Sequence, residues 1–430
     1  MEIAPLLANL PPFAHTFFEG QAGFLSRYAL FSLLFVAIAL SIRSLKTETR
    51  NWCLIALSLV IVGAFSLPEI ALALAAFLAI FYSVVEFVPK GHIRSALLVF
   101  LVSCHAIGPI FWLPLLDGYQ GMARNFIAFA SNLTALRFWG YAWDRSRRAE
   151  PERPRFVDYA LFMVFFPAFI NGPIVTHLEF QERRQDWAWG NGPRRSLVQI
   201  LSEQRAAILR ILFGVALGLA TTGLLLTYRD QLLFATLDDP RYAWANALYT
   251  YAWWYLSFTA WTEAAIGFGR LCGFDYPENF DAPHNAYGPA DFWRRWNITF
   301  MVWLRRFIYL PLGGALIRGR DGKRHLEWRN TFAVFGAVAV YHWVGGLKLL
   351  GLYWYPWTAV IPWAIWAAMT ATAVIATRAM KRPKALGIRG LVIIIATLLF
   401  TSVGHMTVMY PPNRSLDGLL QIYRGLLWPF

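Results

Sequence analysis

Charge is what this sequence has least of. Only 15% of its 430 residues are Asp, Glu, Lys or Arg, where a soluble chain carries about 25%. With 57% hydrophobic residues, that deficit excludes an ordinary water-soluble globule. Cysteine is scarce too: Cys53, Cys104 and Cys272 lie far apart, which excludes a paired-thiol redox motif and a cysteine-based metal site. They read as small apolar residues. There is no G-x-S-x-G, no P-loop and no HExxH, and no metal is expected. The opening MEIAPLLANLPPF lacks a basic region before an apolar core, so a cleaved signal peptide is not expected. No repeat, low-complexity tract or long linker interrupts the chain. One integral-membrane domain over 1–430 is the simplest organisation.

What the chain has is a series of long apolar runs, at 28–42, 52–67, 69–88, 95–116, 123–143, 156–176, 206–227, 242–268, 331–350, 353–377 and 388–409. Runs of this length mark a polytopic membrane protein. Each must satisfy its own backbone polar groups, so an all-α bundle of about 11 membrane segments is expected. The net charge of +14 sits mostly in short loops between runs, which fits the positive-inside rule and not a nucleic-acid partner. The basic loops fall on one side only if 156–176 does not cross. That run holds Pro167, Gly172 and Pro173, which suit a re-entrant or broken helix. Both termini then face outward, and 270–330 becomes a long cytoplasmic-side insert.

Within the insert, Asp291–Gly314 reads DFWRRWNITFMVWLRRFIYLPLGG. On a wheel of about 100° per residue, Phe292, Trp296, Phe300, Trp303 and Phe307 share one stripe of about 80°. This predicts one helix, capped by Asp291 and stopped by Pro311, Leu312, Gly313 and Gly314. Arg294 and Arg305 share a face, Arg295 and Arg306 a neighbouring one, and both lie off the stripe. Two readings fit: an interfacial helix whose arginines meet lipid phosphates, or an element offering arginines to an anionic ligand.

Ionisable groups inside apolar runs are candidate functional residues. They are His105, Glu263, His342 and His405. His342 lies near the middle of its run, in AVYHWVGGLK, where Gly345 and Gly346 permit close approach. An imidazole with an ordinary pKa near 6.5 can serve as a general base. Glu263 suits an arginine partner as well as it suits catalysis. His105 and His405 read as structural, and Glu86 and Arg210, near run ends, as snorkelling groups.

The block Trp261–Gly346 resembles the membrane-bound O-acyltransferase family. The resemblance rests on TEAAIGFGRLCGFDYPENFDAPH, on DFWRRWNITFMVWLRRFIYLPLGG, on RN at 329–330 and on VYHWVGG. FFPAFINGPIVTHLEF at 165–180 resembles a further family element. Together these cover roughly a quarter of the chain, and they look most like the bacterial branch that modifies alginate and teichoic acid. The resemblance implies a multi-helix bundle around a central tunnel, in the bacterial cytoplasmic membrane. It implies a cytoplasmic acyl-thioester donor (acyl-CoA or a carrier-protein phosphopantetheine) as co-substrate, with no tightly bound cofactor. The acceptor would be a hydroxyl of an envelope glycan, or of a periplasmic acyltransferase partner. The family's histidine falls on His342. Its second polar position, often histidine in the bacterial branch, is Asn297 here. Asparagine hydrogen-bonds but cannot take up a proton. Thr262 and Glu263 stand where the family has a small polar residue and Asp. Trp293, Arg294, Arg295, Trp296 and Arg305 would shape the donor entrance. Acetyl transfer is the expected activity, with D-alanyl transfer or transport without acyl chemistry as alternatives.

Overall fold

The computed structural model describes residues 12–112, 122–147, 152–185, 188, 196–221, 236, 239–313, 324–354, 359–383, 387–409 and 416–427. They are helical. Among them no strand forms, and a single isolated bridge pairs Arg184 with Phe274. The principal helices are α1 (Pro12–Ser41), α2 (Thr47–Phe65), α3 (Pro68–Phe87), α4 (His92–Ile107), α5 (Met122–Arg147), α6 (Phe156–Val164), α7 (Arg205–Ala220), α8 (Ala243–Leu271), α9 (Pro289–Arg295), α10 (Ile298–Leu304), α11 (Arg324–Trp354), α12 (Val360–Thr377), α13 (Ile388–Met409) and α14 (Leu416–Leu427). Within the described residues each apolar run overlaps one of them, 156–176 only as far as Val164. Six helical stretches are long and apolar enough to cross a membrane unaided: Phe24–Ser41, Thr47–Phe65, Pro68–Phe87, His92–Phe111, Val360–Thr377 and Ile388–Val408. The coarse expectation of an all-helical membrane protein therefore holds.

Two compact units divide the chain. One comprises Pro12–Leu219 and Ala260–Pro277. Its core is aromatic, with Tyr28, Phe35, Phe65, Phe126, Phe165 and Phe166 nearly inaccessible. The run 156–176 lies here and is broken, as its prolines and glycine predict. α6 stops after 9 residues, roughly 14 Å of helix against a hydrocarbon core of about 30 Å. A 3-10 turn, Phe166–Ala168, follows. A Cβ on Gly172 would lie 2.5 Å from the Ala168 Cα, so only glycine fits the return. The break orphans backbone carbonyls, and Arg137 takes them up. Its guanidinium, buried to 2% exposure, donates to the carbonyls of Met163 (3.0 Å), Phe162 (3.3 Å) and Ala168. Irregular backbone inside a membrane protein needs such a partner.

Two groups read as snorkelling are ion-paired instead. Glu86 is buried, accepting from Tyr141 Oη at 2.8 Å and from Arg145 at 2.8 and 2.9 Å. Arg210 on α7 meets Glu263 on α8 at 3.1 Å. These two helices touch closely: a Cβ on Gly214 would come within 2.7 Å of the Ala260 carbonyl oxygen. Small residues permit this approach, and the ion pair bridges the same interface. Removing one member of a buried pair strands the other charge at about 3–5 kcal/mol. Glu86→Ala is accordingly expected to lower the unfolding temperature in detergent markedly. Glu86→Leu combined with Arg145→Met is expected to lower it less. Equal stability of wild type and Glu86→Ala would show that the pair is not structural.

The second unit holds Ala220–Thr259 and Glu278–Phe430. α11 packs along α12, and α12 along α13. The short helices α9 and α10 are held against this layer. α14, which the apolar runs did not reveal, packs Leu419 and Ile422 onto Ala243, Ala247 and Met406. The Trp244 indole donates to the Leu426 carbonyl at 3.1 Å.

Candidate active site

The aromatic, arginine-rich stretch is two helices, not one. α9 ends at Arg295, and α10 begins at Ile298. Between them Asn297 adopts φ 44°, ψ 53°, the left-handed region. Asparagine, aspartate and histidine enter this region more readily than other residues with a Cβ. Asn297 breaks the helix, and its carboxamide makes no cap bond to α10. The capping falls to Asn279, which is 2% exposed. Its Oδ1 accepts from the Thr299 N–H (3.2 Å) and hydroxyl (2.7 Å), and its carbonyl from the Ile298 N–H at 2.9 Å. Sequence reading missed Asn279, although it lies in the quoted YPENF.

The start of α9 is fixed by two threonines. Thr397 Oγ1 accepts from the Gly288 N–H at 3.0 Å and Thr377 Oγ1 from the Ala290 N–H at 3.1 Å. Each hydroxyl also donates to a carbonyl of its own helix. The far end is fixed by the RN pair: Asn330, fully buried, donates to the Leu312 carbonyl at 3.2 Å. Beyond α10 the chain widens into a π turn, Arg305–Tyr309, and Gly313 takes φ 93°. Gly314 lies outside the described residues.

Four of the five residues of the predicted stripe are buried despite the break, and Trp303 is half-buried. Phe292, Trp296, Phe300 and Phe307 are each at most 6% exposed, because each half keeps its own inner face. The cap assigned to Asp291 is corrected. Gly288 holds the N-cap position, and Asp291 ties the arginines down. Its carboxylate accepts from the Tyr287 N–H at 2.9 Å and pairs with Arg295 at 3.1 Å and Arg294 at 3.2 Å. Partial burial pushes its carboxyl group up, but these donors outweigh burial and hold it below the usual carboxylate range. Arg295 also reaches Asp281 at 2.9 Å, bracing Ala282, the other residue with a Cβ at positive φ. Arg305 is exposed, with no ion-pair partner among the described residues.

His342 sits half-buried on α11. Its Nδ1–H donates to the Val338 carbonyl at 2.8 Å. A carbonyl can only accept, so in the neutral ring the lone pair resides on Nε2. The ring stacks on Trp363 (5.0 Å between centroids, 17°) and meets Tyr341 and Phe300 edge-on at 5.2 and 6.4 Å. Phe300 lies one turn past Asn297, so α10 reaches the histidine. Trp293 packs on Phe335 and Trp366 (5.3 and 5.7 Å), and Trp366 on Trp363 at 5.8 Å. Trp293, Trp296, Phe300 and His342 thus belong to one continuous cluster of rings, and Asn297 follows Trp296 in the chain. Glu263, paired to Arg210, belongs to the other unit. His105 bonds Thr134 at 2.6 Å and stacks on Phe77, a packing role.

The arrangement offers a polarised imidazole, a carboxamide and exposed guanidinium groups, which suits deprotonation of a hydroxyl beside an anionic co-substrate. The family model described as MBOAT, membrane-bound O-acyltransferase family, matches residues 126–404. A "Peptidoglycan O-acetyltransferase" from Helicobacter pylori is 26% identical over 63% of this chain and 47% of its own length. A "Probable alginate O-acetylase AlgI" from Pseudomonas syringae is 29% identical over 50% and 38%. A "Teichoic acid D-alanyltransferase" from Streptococcus thermophilus is 24% identical over 44% and 45%. The matches span less than half the length of each of these relatives. The matched residues include the broken run, the short helices α9 and α10 and His342, so the chain belongs to the membrane-bound O-acyltransferase family.

Proposed function

We propose that this chain is an O-acyltransferase of the bacterial cytoplasmic membrane. It moves an acyl group, acetyl in the first instance, from a cytoplasmic thioester to a hydroxyl of an envelope polysaccharide or of a periplasmic relay protein. The observation that carries this reading is the orientation of His342: with Nδ1–H tied to Val338, Nε2 is the basic nitrogen.

Nε2 takes the proton of the acceptor hydroxyl as its oxygen attacks the thioester carbonyl carbon. The carbonyl oxygen gains negative charge, and the Asn297 carboxamide donates to it. Collapse re-forms the carbonyl and breaks the carbon–sulfur bond. The proton on His342 then passes to the leaving thiolate. Arg305, exposed at the π turn, and Arg294, 61% exposed at its side chain, supply guanidinium groups for the donor's phosphates. A passage poor in water would keep the thioester from hydrolysis.

D-alanyl transfer is the second reading, favoured by the similarity to the D-alanyltransferase. One assay separates the two. Membranes carrying the protein are given labelled acetyl-CoA or, in parallel, a D-alanyl carrier-protein thioester. The expected result is label on the envelope polymer from the acetyl donor, with slow release of acetate when no acceptor is present. Label only from the D-alanyl donor would select the second reading. Turnover of neither thioester would overturn acyl transfer.

A further inference from the structure

His405 is the one intramembrane histidine that its expected packing role leaves unexplained. It lies near the C-terminal end of α13, one residue past the family match. Its Nδ1–H donates to the Thr401 carbonyl at 2.7 Å, the same i−4 arrangement as in His342, so its Nε2 also carries the lone pair. The ring lies 4.9 Å from Trp296 and 5.6 Å from Tyr251, edge-on to both. Rings in contact connect it to His342: Trp296 stacks on Phe292, Phe292 meets Trp293, and Trp293 leads through Trp366 and Trp363 to His342.

Tyr251 adds a second observation. It is 6% exposed, and its hydroxyl has no hydrogen-bond partner among the described residues. A buried hydroxyl without a partner is destabilising. Phenylalanine would fill the same space against Phe292, Trp296 and His405 without that penalty. Packing alone therefore explains the ring and not the oxygen. A tyrosine hydroxyl can donate and accept, and the neighbouring imidazole nitrogen can accept. Together they match a ligand that carries adjacent hydroxyl groups, as a sugar does.

We propose that Tyr251 and His405 form an acceptor subsite that holds a sugar hydroxyl of the glycan beside His342. The proposal rests on the acyl-transfer reading. His405 and Tyr251 would bind and orient the acceptor, and His342 would take the proton.

The test is the fate of the acyl group. Membranes that retain the envelope polymer receive labelled acetyl-CoA, and label on polymer is compared with free acetate. In Tyr251→Phe, and separately in His405→Gln, the ratio of polymer-bound label to free acetate is expected to fall about tenfold, as the loss of one hydrogen bond predicts. Label on polymer is expected to fall while release of free acetate, which needs no acceptor, persists. A general packing defect would lower both products together, and that result in Tyr251→Phe would overturn the subsite. An unchanged ratio in both variants would overturn it as well. Wild-type membranes that turn over no thioester would overturn the acyl-transfer reading and this subsite with it.

Discussion

His342→Ala is expected to lower acyl transfer by about 10²–10⁴-fold, the usual contribution of a general base, in membranes matched for the amount of folded protein. His342→Gln sharpens the test. A glutamine amide can still donate towards the Val338 carbonyl but cannot take up a proton. If the ring only packs, glutamine should rescue much of the activity. If Nε2 removes the proton, it should rescue none. Undiminished transfer by well-expressed His342→Ala protein would refute the assignment.

The surroundings of the ring favour the second outcome. The imidazole stacks on the face of Trp363, and an aromatic face stabilises a cation lying over it. An imidazolium formed during transfer would gain from that contact. Phe300 reaches the same ring from α10, so α10 and α11 jointly shape the surroundings of the imidazole. By contrast His105 is held by Thr134 and two phenylalanine rings.

Much of this arrangement was legible in the sequence because hydropathy and turn chemistry are local. The apolar runs became helices, and Pro167 and Gly172 marked the break in 156–176. What escaped depends on partners far along the chain. Nothing near Arg137 says that it will donate to carbonyls 25 to 31 residues on. Glu86 looks like a run-end residue until Arg145, 59 residues away, turns towards it. The wheel found the buried stripe of 291–310 and missed its interruption, because a single left-handed residue leaves no periodic trace. α14 has 12 residues, too few to cross, so a search for spans passes over it. His405 was read as packing because a lone histidine in an apolar run gives no sign of the tyrosine beside it.

Asn297 needs a test that separates its backbone from its side chain. A residue bearing a Cβ pays about 1–2 kcal/mol in the left-handed region, and asparagine is among the few that tolerate it. Asn297→Ala therefore confounds two losses, the turn and the carboxamide. Asn297→Gly does not: glycine takes φ 44° freely and removes only the amide. If Asn297 serves the backbone alone, the glycine variant should transfer acyl groups like wild type and the alanine variant should be less stable. If the amide donates to the oxyanion, Asn297→Gly should fold normally and lose about 10²–10³-fold in kcat, the effect of deleting one such donor. The expected result is the second. Asn297→His then decides how the amide acts: histidine also tolerates this backbone and can donate a hydrogen bond, so it should recover part of the lost rate. Wild-type kcat in the glycine variant would reduce Asn297 to a hinge and leave His342 without this oxyanion donor.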